Sequence, residues 1–194
     1  MVAPSLDRTC TNALKEWATV LEAMARGEQV VLIRKGGLIE PGSGFELMAQ
    51  TFVFYPTFEH QAVNYLRPPF QSYFETASQH RAPEGQVQFD LVGVAVKSVQ
   101  SCDASIIERL SPFHIYNQAF VSQRLKWQPA QPLVIALIRA FRLPQPIVLP
   151  VTPAYAGCKS WVELETPVSL DGAHPVLDDA TFQQRVERLT PLLA

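Results

Sequence analysis

The chain has 194 residues, 47% of them hydrophobic and 18% charged, which is enough apolar material for one packed core and too much for a disordered tail. Its formal charge of −2 excludes a polybasic tail as the source of affinity for nucleic acid. Three cysteines, Cys10, Cys102 and Cys158, are odd in number and far apart, which fits neither a disulfide framework nor a zinc ribbon.

Taken in chain order, Thr11 or Asn12 reads as the cap of a first helix, with Leu14, Trp17, Leu21 and Met24 at helical spacing and Gly27 as its left-handed stop. Gln29 to Arg34 then reads as a buried strand closed by Gly36-Gly37, and Thr51 to Tyr55 as a second strand ended by Pro56. Thr57 can cap a short helix through Tyr65, and Phe70, Tyr73 and Phe74 follow at helical spacing. Gln86 to Val99 is the longest strand, apolar on both faces, with Gly93 marking a bend or bulge.

Short helices are expected from Asp103 or Ser105 to Leu110 and from Asn117 to Trp127. Strands are expected at Leu133 to Phe141, Ile147 to Val151 and Trp161 to Leu164. A last helix begins at Asp178 or Asp179 and carries Phe182, Val186, Leu189 and Leu193 on one face. Residues 1–194 therefore read as a single α+β domain. Its sheet is curled and mostly antiparallel, barrel-like if it closes on itself, and packed by the N- and C-terminal helices. The N-terminus lacks the apolar run of a signal peptide and no stretch reaches the length of a membrane span, so a cytoplasmic protein with no membrane partner is expected.

Charge is uneven. From Lys97 to Arg142 there are six basic residues against two acidic ones, while from Leu143 onward there are three basic and six acidic. Such a middle can form a positive face under a near-neutral total, although scatter of this kind is also ordinary solvated surface.

Three constellations carry candidate chemistry. Arg34-Lys35-Gly36-Gly37 ends a strand with two cations and a turn whose N–H groups can face an anion; it lacks the Gly-Lys-Ser/Thr of a Walker loop, and a hairpin turn flanked by solubilising charges is the plainer alternative. Thr57 to Gln61 places Glu59, His60 and Gln61 after a strand, where His60 can act as acid or base oriented by Glu59 or Glu40, or can simply cap the loop. Tyr155 to Trp161 sets Cys158 beside Lys159, a cation that favours a thiolate, although a lone cysteine is more often a small buried hydrophobe. The histidines show no metal-ligand spacing, and Lys97 lacks the carboxylate two positions earlier that a restriction-type nuclease needs, because Ala95 stands there and Asp90 is displaced. No motif asks for a cofactor or a metal.

The stretches Ala13 to Gly37 (ALKEWATVLEAMARGEQVVLIRKGG), Phe52 to Gln61 (FVFYPTFEHQ), Arg124 to Pro144 (RLKWQPAQPLVIALIRAFRLP) and Tyr155 to Leu164 (YAGCKSWVEL) resemble an uncharacterised prokaryotic family catalogued as domain of unknown function 1802. That resemblance implies no activity. Leu91 to Gln100 followed by a helix and then Pro132 to Leu149 is similar to the strand order of PUA-like barrels, including the ASCH and EVE types, which implies binding of RNA or modified bases.

Two functional readings follow. The first is a binding module for RNA, DNA or a nucleotide-like anionic ligand: Arg34, Lys35, Arg124, Lys126 and Arg139 neutralise phosphates, and Trp127 stacks on a base. The alternative is a metal-independent hydrolase or transferase with His60 as acid/base, Arg34 and Lys35 as anion clamp and Cys158 as nucleophile. The two differ in what they expect of the fold: an enzyme gathers these residues into one concave pocket, whereas a binding module spreads its cations along a surface. If the blocks at Arg34 to Gly37, Phe54 to Gln61 and Tyr155 to Trp161 share a function, Arg34, Lys35, His60, Gln61 and Lys159 meet although they lie far apart in sequence, with Glu40 or Glu59 offsetting the cations.

Overall fold

A computed structural model describes residues 6–35, 50–103, 105–126, 131–157 and 159–193. Among these residues the strands are β1 (Thr9–Trp17), β2 (Val31–Lys35), β3 (Thr51–Thr57), β4 (Gln86–Ser101), β5 (Leu133–Pro150), β6 (Trp161–Ser169) and β7 (His174–Pro175). The α-helices are α1 (Ala18–Ala25), α2 (Ser72–Gln79), α3 (Ser105–Arg109), α4 (Gln118–Lys126) and α5 (Asp179–Leu189). All strands join one sheet in the order β2-β5-β4-β3-β1-β6, with β7 on β5. Only β1 and β3 pair in parallel, so the expected single-domain α+β class with a mostly antiparallel sheet holds. The sheet is not closed into a barrel: β2 and β6 are its two ends.

The first element departs from expectation. Residues 9–17 are strand, and only Ala18 to Ala25 is helical. The helical spacing of Leu14, Trp17, Leu21 and Met24 survives because all four point into one core from either side of the strand–helix junction. Pairing with β3 and β6 on both edges overrides the local preference of Asn12 to Trp17 for helix. The helix stop is where the glycine places it. Gly27 takes φ +70°, its N–H donates to Met24 O at 3.0 Å, and the Glu28 N–H donates to Ala23 O at 3.0 Å. A side chain at Gly27 would run into Leu177.

Other boundaries follow their caps. Asp178 accepts from the Thr181 N–H at 2.8 Å at the start of α5, and Asn117 Oδ1 accepts from the Ala119 N–H at 2.9 Å at the start of α4. The helix expected after Thr57 is instead an irregular stretch leading to a 3-10 turn at Val63–Tyr65. The two strands expected at Leu133 to Phe141 and Ile147 to Val151 are one strand, β5. Its ladder with β4 passes from Leu91↔Arg142 to Phe89↔Ile147, so Leu143-Pro144-Gln145-Pro146 loops out opposite Asp90. Two prolines that cannot donate to a ladder explain why the register breaks there.

Gly93 is not a bulge. It pairs in register with Ala140, and a Cβ there would lie 2.6 Å from the Phe52 ring and 2.9 Å from the Phe54 ring. The glycine serves close approach. Both faces of the sheet are apolar. One face, with Leu14, Phe52, Phe54 and Leu91, packs against α1, α4 and α5; the other gathers Ala13, Val53, Phe89, Val92, Phe141 and Val162 without any α-helical residue. This is the two-sided burial that the run of β4 predicts.

Candidate functional site

The two ends of the sheet path approach each other where a β2 side chain bridges them. Arg34 Nη1 donates to Lys15 O at 2.6 Å and to Glu16 Oε2 at 3.0 Å, both on β1, while Nη2 donates to Ser160 Oγ at 3.0 Å just before β6. The second Glu16 oxygen accepts from the Trp17 N–H at 2.8 Å, and the Glu16 carbonyl accepts from Thr57 Oγ1 at 3.1 Å. Alternation along β1 puts Glu16 on the Leu14 face and Lys15 on the other, where Lys15 Nζ reaches Tyr155 O at 2.5 Å. Gln61 Oε1 accepts from the Thr19 N–H at 3.2 Å and from Thr19 Oγ1 at 2.8 Å in the first turn of α1. Three separated blocks, at Arg34, at Thr57 to Gln61 and at Ser160, thus meet on residues 15–19.

The remaining cations sit behind and beside this seam. Lys35 is buried and donates to Leu125 O at 3.2 Å. Arg124 lies over the Trp17 ring at 5.5 Å and the Phe120 ring at 5.0 Å, and its buried Nε has no partner among the described residues. Tyr116, stacked on Phe120 at 3.7 Å, has its hydroxyl pushed far above the ordinary phenol range by burial and by the Glu16 charge, against the opposing influence of Arg124, Gln29 and Arg34. Glu16, Arg34, Arg124 and Tyr116 therefore share one poorly solvated volume.

Sequence reasoning singled out several of these residues and missed others. Lys126 and Lys159 are exposed, the latter next to Ser160. His60 is exposed, adopts φ +62°, and has no hydrogen-bond or ion-pair partner among the described residues, whereas its neighbour Gln61 is anchored. Arg139 is drawn away to Asp179 of α5 and lies over Phe182. Gly36, Gly37, Glu40, Trp127 and Cys158 lie outside the described residues. The carboxylate that offsets Arg34 is Glu16, and Glu59 is exposed. Reading residues 12–17 as helix hid Glu16; as a strand, the two-residue repeat puts it on the same inner face as Leu14, opposite Pro56 of β3.

A second concave region lies on the same face of the sheet, between α1, α2 and the looped-out segment of β5. It is a cavity of about 500 Å³, with Leu21, Phe54, Phe58 and Leu91 among its apolar walls. Its polar groups are Glu22, Arg26, His80, Gln88, Asp90 and Arg142. Glu22 takes Arg26 at 2.6 Å and stands 3.7 Å from His80 Nδ1. Arg142 Nη2 donates to Ala25 O at 3.0 Å, and Gln88 Nε2 donates to both Asp90 oxygens at 3.2 and 3.0 Å. Among the described residues no group of three or more His, Cys, Asp or Glu side chains could hold a metal ion, and no helix is long and apolar enough to cross a membrane.

No curated protein matches the chain. Among solved structures it is similar to the ASCH protein of Zymomonas mobilis, at 14% identity over 93% of this chain and 96% of that one, with a TM-score of 0.42. Two single-residue mutants of that protein match at 14% and 12% identity, each over 91% of this chain, covering 94% and 96% of theirs with TM-scores of 0.42 and 0.41. The sequence profile of one family spans residues 13–188, so the chain belongs to the family described as Domain of unknown function (DUF1802).

Proposed function

We propose that the protein is a binding module for a phosphate-bearing, nucleotide-like ligand or a short stretch of nucleic acid, taken at the seam between β2 and the β1–β6 edge. The observation that carries this reading is the charge balance there: Arg34 and Arg124 converge on a volume in which Glu16 is the one described carboxylate, with buried Lys35 next to Arg34 in the chain and exposed Lys159 next to Ser160. Gathering like charges in a poorly solvated place is unfavourable unless an anion offsets them. Arg34 is already oriented by three acceptors, Lys15 O, Glu16 and Ser160, so it meets an anion without first losing side-chain freedom. Arg124 brings a buried N–H that an acceptor would satisfy.

The broad positive face that the central basic segment suggests is a weaker basis. Arg109 pairs with Asp103, Arg139 with Asp179 and Arg142 with the end of α1, three different parts of the surface. Among the described residues the acid/base reading through His60 gains no partner for its imidazole.

Titration calorimetry with uridine monophosphate, uridine and short RNA and DNA oligomers tests the proposal. Binding should require the phosphate and weaken as salt rises, because each neutralised phosphate releases counterions. Equal affinity for the nucleoside, or affinity indifferent to salt, would overturn it.

A further inference from the structure

The cavity beside α1 is separate from the seam and presents a different chemistry. We infer that it is a binding site for a guanine base, read along its hydrogen-bonding edge by Asp90 and Arg142. Gln88 and Asp90 are two apart on β4 and line the cavity together. Gln88 donates its amide to both Asp90 oxygens and so holds the fork of the carboxylate in the free protein; when that amide turns aside, the fork becomes a two-oxygen acceptor for a ligand. Opposite them the chain loops out through Pro144 and Pro146, and Pro146, on the cavity wall, has no N–H to contribute. The donor next to Asp90 across the ladder is Arg142, while Arg26 and His80 stand with Glu22. Arg142 is the cross-strand partner of Leu91, next to Asp90, and the hydrogen bond it makes to Ala25 O uses one of its five N–H groups.

A donor beside a two-oxygen acceptor is the complement of one base edge. Guanine presents a carbonyl oxygen followed by two adjacent donors, the ring N–H and the exocyclic amine, which a carboxylate takes as a parallel pair. Adenine and cytosine place an acceptor next to their amine, and that acceptor would face the Asp90 carboxylate. Uracil flanks its single donor with two acceptors. Phe54, Phe58, Leu21 and Leu91 supply apolar walls for a planar ring, and about 500 Å³ lies in the range of small-ligand sites.

Nucleosides test this independently of the seam, because they carry no phosphate. In calorimetric titration guanosine should bind at least about tenfold tighter than adenosine, cytidine or uridine, and inosine, which keeps the ring N–H but lacks the amine, should fall between. Asp90→Asn should remove most of the guanosine preference, and circular dichroism matching the parent protein shows that the variant is folded. Inosine against the unaltered protein gives the same answer without a variant. Equal affinity for all nucleosides, or no binding of guanosine at millimolar concentration, would overturn the site and leave the phosphate-dependent reading of the seam standing. Loss of phosphate-dependent binding with guanosine selectivity retained would do the reverse.

Discussion

The seam and the cavity lie on one face of the same sheet, and they handle charge in opposite ways. At the seam Arg34, Arg124 and one described carboxylate, Glu16, are drawn out of water and held by backbone carbonyls and aromatic rings. In the cavity Glu22 and Asp90 match Arg26 and Arg142 in number, and apolar side chains such as Leu21, Phe54, Phe58 and Leu91 share the lining. On the proposed reading the seam discriminates by charge, and Arg34 also ties β2 to β1 and to Ser160 before β6. The cavity, on the inference drawn from it, discriminates by the pattern of donors and acceptors. Ligands of the first should be salt-sensitive and ligands of the second should not.

The largest effects are expected where the seam is broken. Arg34→Met leaves the Glu16 carboxylate buried without its partner and should lower unfolding free energy by about 3 kcal/mol or more in urea titration. The paired replacement Glu16→Gln with Arg34→Met should recover part of that loss, since the buried carboxylate left without its partner is removed as well.

Acid attacks the seam from behind. His114 accepts the Tyr116 N–H on Nδ1 at 3.1 Å, so the neutral ring carries its proton on Nε2, which donates to Ile107 O at 3.0 Å. Burial, with a smaller push from Arg67, lowers its pKa from 6.5 to about 4. The unfolded chain binds this proton below about pH 6.5 and the native protein does not until about pH 4, so stability is lost as the pH drops through that window. The loss amounts to about 3 kcal/mol by pH 4, and a His114→Gln variant should show a flatter pH profile over it.

A milder change reaches the cavity side. Gly93→Ala pushes a methyl group against Phe52 and Phe54, and Phe54 is a cavity wall. A destabilisation of about 1–3 kcal/mol is expected from overpacking, with nucleoside binding disturbed more than phosphate binding. Smallest for the fold, and most telling for function, are the exposed cations. Lys159→Ala and Lys126→Ala should shift stability by no more than about 0.5 kcal/mol. Yet a lysine that contacts phosphate should weaken nucleotide binding and lower the salt slope by about 1 when removed.

Much of the sheet was legible because β4 is long and apolar on both faces, and α5 announces itself through Asp178 and the Phe182, Val186 and Leu189 stripe. Arg34 and Gln61 could be singled out from residue type and position. Glu16 could not, because the spacing of Leu14, Trp17 and Leu21 mimics a helix across a strand–helix junction that only pairing with β3 and β6 decides. The cavity was illegible for a related reason. Asp90 and Arg142 become neighbours through a register that breaks at Leu143 to Pro146, and in the sequence those prolines look like the end of a strand.

The most direct test of phosphate binding at the seam is an amide chemical-shift titration of the ¹⁵N-labelled protein with uridine monophosphate, whose base lacks the paired donors the cavity would read. The account predicts salt-sensitive shifts centred on Trp17, Thr19, Arg34 and Ser160, with little change at Gln88 to Leu91. Shifts confined to the cavity, or none at millimolar ligand, would contradict it.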